Sequence, residues 1–324
     1  MVSTIPPEVA FDLQNIHNAL SFAVPDVEAL VNTIGRREYQ QLLVVARQYK
    51  LGYGVDLPVE LDKRIIGSVG SLLAGATMHK VLAEVQYLHK AGKSNRKYEA
   101  LRKKDTAIEV ICQIVLGRTP TDLRELHEAY EAVYKSNIKD HILSFCKDDM
   151  LKEFFADILN QKDKEDVPLE FSELESAIEK LHVLLQAHDL PGLLKYVASF
   201  TTSQLNSLVR GYNSHYRDAH VVTVVNKTIA HKHKSEHVEV LLFAVMQAAD
   251  PARHISLLFE ESMAGLGTNE DQLSRLVVLH RGRLIEKIKV SYHTDYDRTL
   301  ADRVRGDTSG LYSNLVCHLI NQTI

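Results

Sequence analysis

The amino-acid sequence predicts an all-α fold made of four copies of one helical unit, and three observations carry that prediction. The pair Tyr49/Tyr53 recurs as Tyr130/Tyr134, Tyr212/Tyr216 and Tyr292/Tyr296, at steps of 81, 82 and 80 residues and always with the same internal spacing. Val45, Leu126, Leu208 and Ile288 stand four residues before the first tyrosine of each pair, and Leu61, Ile142, Val224 and Val304 twelve after it. Apolar residues at such offsets form the stripe of an amphipathic helix. Period-two alternation rich in β-branched residues is sustained only at Val221-Val222-Thr223-Val224-Val225, at a phase that is helical in the other copies, so this run is also read as helix.

In chain order, a short tail (1–12) precedes copies at 13–80, 90–162, 170–249 and 252–324. Polar stretches at His89–Asn95, Gln161–Asp166 and Ala248–Pro251 read as linkers. Thr119-Pro120-Thr121-Asp122 marks a helix start, with a Thr N-cap, Pro in the first turn and an acid to meet the helix dipole. Ser172-Glu173-Leu174-Glu175 reads as a capping box. The third copy carries an insertion, His231 to His237. In the fourth, Leu273, Leu276, Val277, Ile285, Ile288 and Tyr292 keep helical spacing.

Composition narrows the function. The 324 residues carry 38 Lys+Arg against 42 Asp+Glu, which excludes nucleic-acid binding through overall basic charge, and no sequence-specific nucleic-acid contact is expected. Cys112, Cys146 and Cys317 are too few and scattered for a disulfide framework, and their apolar helical settings predict buried thiols. Neither a signal peptide nor a membrane-spanning run is legible. No nucleophile motif, phosphate loop, dinucleotide fingerprint or His-Glu-x-x-His is present, so no enzyme is expected. The tyrosine pairs, neighbours on a helix face, read as packing residues.

The most informative segment is Met263-Ala264-Gly265-Leu266-Gly267-Thr268-Asn269-Glu270. Two glycines one apart permit a tight left-handed turn whose carbonyls converge, and Thr268 reads as the cap of the next helix. Forty residues after Gly267 lies Asp307, within Arg305-Gly306-Asp307-Thr308-Ser309-Gly310. Taken singly, these residues could make only an interhelical turn and a helix cap.

Together they make the chain resemble the annexin family, as a divergent member whose motif survives in the fourth copy alone. The resemblance implies four repeats of about five helices each in a compact, slightly curved disc, with a Gly-x-Gly-Thr loop between the first two helices of a repeat. It further implies a Ca2+ site facing a membrane. The carbonyls of Met263, Gly265 and Gly267 and a bidentate Asp307 would be its ligands, with positions left for water or a lipid phosphate oxygen. A weaker accessory site would use the Thr268 carbonyl and the Glu270 carboxylate. The implied function is calcium-dependent binding to anionic phospholipid by a cytoplasmic protein peripheral at membranes. The alternative is a calcium-independent scaffold or cytoskeleton-associated adaptor on the same fold.

At the phase of Asp307 the other copies carry Arg64, Phe145 and Lys227; at that of Gly265/Gly267 they carry Phe22/Val24, Lys103/Asp105 and Leu185/Ala187. A cation repels calcium and Phe offers no oxygen, so these three sites are expected to hold none. Two further features stand out. Lys90, Lys93, Arg96, Lys97, Arg102, Lys103 and Lys104 form a basic segment suited to a lipid or polyanion contact, or only to solvent. Sixteen histidines are a reserve of positive charge at mild acid that would favour calcium-independent adsorption to anionic lipid, and His231, His233 and His237 could alternatively bind zinc.

Overall fold

The computed structural model describes residues 6–91, 106–230 and 235–321. Among them are twenty α-helices and no strand, in four groups of five. The first group is α1 (Pro7–Ser21), α2 (Val27–Ile34), α3 (Tyr39–Tyr53), α4 (Leu57–Arg64) and α5 (Ser68–Thr77). The second is α6 (Lys80–Lys90), α7 (Ala107–Val115), α8 (Pro120–Tyr134), α9 (Ile138–Leu143) and α10 (Asp149–Asn160). The third is α11 (Phe171–Ala187), α12 (Leu190–Ala198), α13 (Thr202–His215), α14 (Val221–Val224) and α15 (Glu236–Ala249). The fourth is α16 (Pro251–Met263), α17 (Glu270–His280), α18 (Arg283–Tyr296), α19 (Leu300–Asp307) and α20 (Gly310–Ile320). Contacts divide the chain into two compact units, one built mainly from the first and fourth groups and the other mainly from the second and third.

The repeated apolar positions are the core. Tyr49, Tyr130, Tyr212 and Tyr292 are buried, as are Val45, Leu126, Leu208 and Ile288 on the preceding turn. Leu61, Ile142 and Val304 are buried too, whereas Val224 is half-exposed and its neighbour Val225 takes the inward place. The cause is local: α14 starts at Val221, nine residues after Tyr212, whereas α4, α9 and α19 start eight after their first tyrosine, so one extra loop residue shifts the inward register. The second tyrosine of a pair serves a different purpose. His17, His89 and His182 stack on Tyr53, Tyr134 and Tyr216 at 3.9, 3.8 and 4.3 Å, within 8° of parallel. Each ring also reaches the first tyrosine's hydroxyl, at 3.5, 3.2 and 3.1 Å. In the fourth repeat a carboxylate replaces the imidazole, and the Tyr292 hydroxyl donates to Glu260.

Several local readings shift. Thr119 caps α8 as expected, in a box with Asp122. The box opening α11 is Glu170 with Glu173, two residues before Ser172, because Phe171 is already helical. Helix α1 starts at Pro7, so residues 7–12 are helical and Val9 and Asp12 are buried. His89 belongs to α6 rather than to a linker, held there by its stack on Tyr134. Leu185 and Ala187 lie inside α11, since the helix outruns the phase at which a loop was expected.

Two buried acids on the first helices of repeats are neutralised by arginines twelve residues before the paired tyrosines. Arg37 makes two bonds to Asp12, at 2.6 and 2.8 Å. Arg118 is ion-paired with Glu84, whose side chain is 2% exposed. Removing one partner of such a pair leaves a buried charge uncompensated, at a cost of about 3 kcal/mol or more. Glu84→Ala is therefore expected to destabilise the protein by about 3 kcal/mol in a urea melt; a loss near zero would show that Arg118 finds water instead.

Candidate metal centre

The segment between α16 and α17 takes the left-handed backbone that its glycines allow, with φ of 86° at Gly265 and 78° at Gly267. A side chain would be strained at both places. Between them Leu266 is 98% exposed, the tip of the loop. The base is tied down by the Asn269 amide, which donates to the Ser262 carbonyl at 2.7 Å. Asn269, not Thr268, caps α17, accepting from the Gln272 amide at 3.1 Å. Thr268 is drawn away because its hydroxyl lies against Asp307, 3.0 Å from the carbonyl and 2.5 Å from a carboxylate oxygen. The loop and the end of α19, forty residues apart, are thereby joined.

A third element completes the site. Arg303, one turn before Asp307 on α19, donates through Nη1 to the Asp307 carboxylate at 3.0 Å and through Nη2 to the Met263 carbonyl. Its Nε faces Glu260, 3.2 Å from either carboxylate oxygen. Glu260 also accepts from Arg298 at 3.0 and 3.1 Å and from Tyr292. Burial works against the Arg303 charge, but the bonds to Asp307 and Glu260 outweigh it and hold the guanidinium protonated more firmly than usual. Burial first, then Glu260, pushes the Tyr292 phenol up, so it stays a donor.

The resemblance implies a calcium ion here, and the guanidinium tests the fit. Its Nη atoms stand where a cation would be, drawing one loop carbonyl and one carboxylate, from different helices, onto a single positive charge. Both are hard oxygen donors of the kind calcium takes. Met263 and Asp307 thus converge, while Gly265 and Gly267 shape the loop beside them. The accessory pair is not assembled in the same way: a Glu270 carboxylate oxygen accepts from the Ser68 hydroxyl on α5, and the Glu270 carbonyl accepts from Tyr312. Among the described residues no cluster of three His, Cys, Asp or Glu could hold a metal.

The corresponding joint of the first repeat carries a guanidinium at the phase of Asp307, with Glu60 3.7 Å from it. Arg64, at the phase of Asp307, donates through Nη2 to the Phe22 carbonyl at 2.6 Å. In the third repeat α11 ends in His188, with φ of 55°, and Asp189 caps α12 at once, leaving no loop of the fourth repeat's kind. Lys93 to Lys104 of the basic segment lie outside the described residues, as do His231 and His233. His237 Nε2 pairs with Asp148 at 2.9 Å. The Asp148 carboxyl sits below its usual range, through the Leu151 amide first and His237 second.

Glu260 and Arg303 went unread in the sequence, although a signal existed. Glu260 lies as far before Tyr292 as His17 lies before Tyr49, and Arg303 is an i, i+4 partner of Asp307. The cysteines are buried, and burial raises their thiols, Cys146 to about 11. The histidine reserve is smaller than sixteen: burial lowers His127 and His254 to about 4. Because these folded-state values lie below the unfolded 6.5, the unfolded chain binds more protons between about 4 and 6.5. Their contribution to stability is therefore full at neutral pH and is lost as pH falls through that window. Thermal melts from pH 7 to 4 are expected to show a declining midpoint, and His127→Gln with His254→Gln to flatten the decline; an unchanged slope would contradict these assignments.

The chain is similar to known annexins in sequence and in fold. A profile of the annexin family matches residues 256–319, the stretch that contains the loop and Asp307. Annexin D3 of Arabidopsis thaliana is 22% identical, over 98% of this chain and 97% of its own length. A solved structure of a mutant annexin A8 with an intact N-terminus superposes with a TM-score of 0.82 at 19% identity, covering 99% of this chain and 97% of the other. The calcium-bound structure of alpha-14 giardin does so with a TM-score of 0.77 at 16% identity, over 97% of this chain and 100% of the other. The chain is thus similar to annexins in sequence and fold over nearly its whole length, with the family profile matched within its fourth repeat.

Proposed function

We propose that this protein binds anionic phospholipid membranes in a calcium-dependent way through its fourth repeat alone. Annexins are known generally for calcium-dependent phospholipid binding and are generally non-enzymatic. The observation that carries the reading for this chain is the convergence of the Met263 carbonyl and the Asp307 carboxylate, from opposite ends of the repeat, on one cationic position. Calcium in that position would take the carbonyls of Met263, Gly265 and Gly267 and both Asp307 oxygens, leaving about two of its six to eight sites for lipid phosphate oxygens or water.

The chain's own residues set the geometry. Gly265 and Gly267 turn the loop so that its backbone, with no side chain in the way, faces outward. Thr268 holds Asp307 against the loop and shields it from rotating away. Leu266 presents an apolar tip to the acyl boundary of a bilayer. Among the described residues no helix is long and apolar enough to cross a membrane, so contact at the surface is the mode proposed. Glu270, bonded to Ser68, would have to exchange that partner to serve an accessory ion. With one site rather than four, avidity is lost and the calcium demand is high.

A second reading, a calcium-independent scaffold or cytoskeletal adaptor, draws on the first repeat, where Arg64 occupies the joint outright. Sedimentation with phosphatidylserine vesicles separates the two. Pelleting is expected with calcium and not with chelator, and Asp307→Ala is expected to need at least about tenfold more calcium, one such factor being 1.4 kcal/mol. Pelleting unchanged by Asp307→Ala, or absent at every calcium level, would favour the adaptor.

A further inference from the structure

We infer that Arg303 is the resident cation of the fourth-repeat loop, and that metal binding there is an exchange of its guanidinium for calcium, so that Arg303 sets the calcium affinity. This rests on the calcium reading above and adds to it a residue that controls the site. The guanidinium holds two of the proposed ligands at once, the Met263 carbonyl and the Asp307 carboxylate. Neither can accept a metal at full strength until those bonds break. Hydrogen bonds between charged groups are among the stronger ones in proteins, so their loss offsets a large part of the gain on metal binding.

The same side chain has a place to go. Its Nε faces Glu260, which also takes Arg298 and Tyr292. Glu260 can keep the base of the guanidinium while the two Nη groups swing off the loop, so the exchange does not strand a partly buried charge. The His-to-Glu change at the tyrosine lid of the fourth repeat thus acquires a purpose. An imidazole there could stack on Tyr296, but it could not hold two arginines.

The first repeat gives independent support. There a guanidinium, from Arg64, bonds the Phe22 carbonyl at the same joint, while the carboxylate it pairs with, Glu60, stands 3.7 Å away, beyond a hydrogen bond. A guanidinium closes the joint in both repeats; only in the fourth does it hold a carboxylate at hydrogen-bond distance together with the carbonyl, which makes the occupant replaceable.

Calcium titration calorimetry on the full chain without lipid, together with melting temperature with and without calcium, tests this in wild type, Arg303→Gln, Arg303→Lys and Asp307→Asn. Arg303→Gln removes the charge and is expected to bind calcium at least about tenfold more tightly than wild type. Its calcium-free melting temperature is expected to fall, and calcium to raise it by more than in wild type. Arg303→Lys keeps the charge and is expected to stay nearer to wild type, which also covers the case in which the Gln variant fails to fold. Equal or weaker affinity in Arg303→Gln, with binding still lost in Asp307→Asn, would overturn the exchange and leave the calcium site standing. Arg303→Lys binding as tightly as Arg303→Gln would overturn it too, because charge would not be the determinant. No calcium response in wild type or in Arg303→Gln would overturn the calcium reading and the exchange with it.

Discussion

One positive charge closes the joint between the α16–α17 loop and the end of α19. The loop brings carbonyl oxygens that point away from their own helix, and α19 brings a carboxylate. Neither group can be left partly buried without a donor or a cation. Arg303 meets both demands, Thr268 takes the remaining carboxylate oxygen, and Glu260 balances the guanidinium from the other side. The closure thereby joins the glycine turn, the end of α19 and, through Glu260, the buried Tyr292.

Across the repeats the scaffold is kept while the joint diverges. Each retains a buried first tyrosine with an apolar residue one turn before it, so packing is shared. The joint itself uses a guanidinium with a carboxylate 3.7 Å away in the first repeat, an immediate turn into α12 in the third, and a guanidinium hydrogen-bonded to a carboxylate in the fourth. Repeat architectures tolerate this because each unit buries its core against neighbours irrespective of what its loops present. The family profile matches residues 256–319, within the fourth repeat.

Much of this was legible in the sequence, for identifiable reasons. Tyrosine pairs at a constant four-residue spacing and a period near eighty reported the repeats, because buried aromatics at a helix face cannot drift without opening the core. Gly265, Gly267 and Asp307 were legible because a left-handed turn and a lone acid at fixed separation narrow the options. Arg303 and Glu260 were not, since a charged i, i+4 pair reads as an ordinary solvated helix face until the loop is folded against it. The role of Thr268 was misassigned for a related cause: local sequence favours Thr as a cap, but a tertiary acceptor, Asp307, won, and Asn269 capped instead. The one-residue register shift at Val225 came from one extra residue between Tyr212 and α14, which a comparison at fixed phase passes over.

The most direct measurement is a crystal structure of the full chain grown in excess calcium. The account predicts one ion in the fourth repeat, between the carbonyls of Met263, Gly265 and Gly267 and a bidentate Asp307, with the Arg303 guanidinium withdrawn onto Glu260. An Arg303 still bridging Met263 and Asp307, with no ion beside it at saturating calcium, would contradict it.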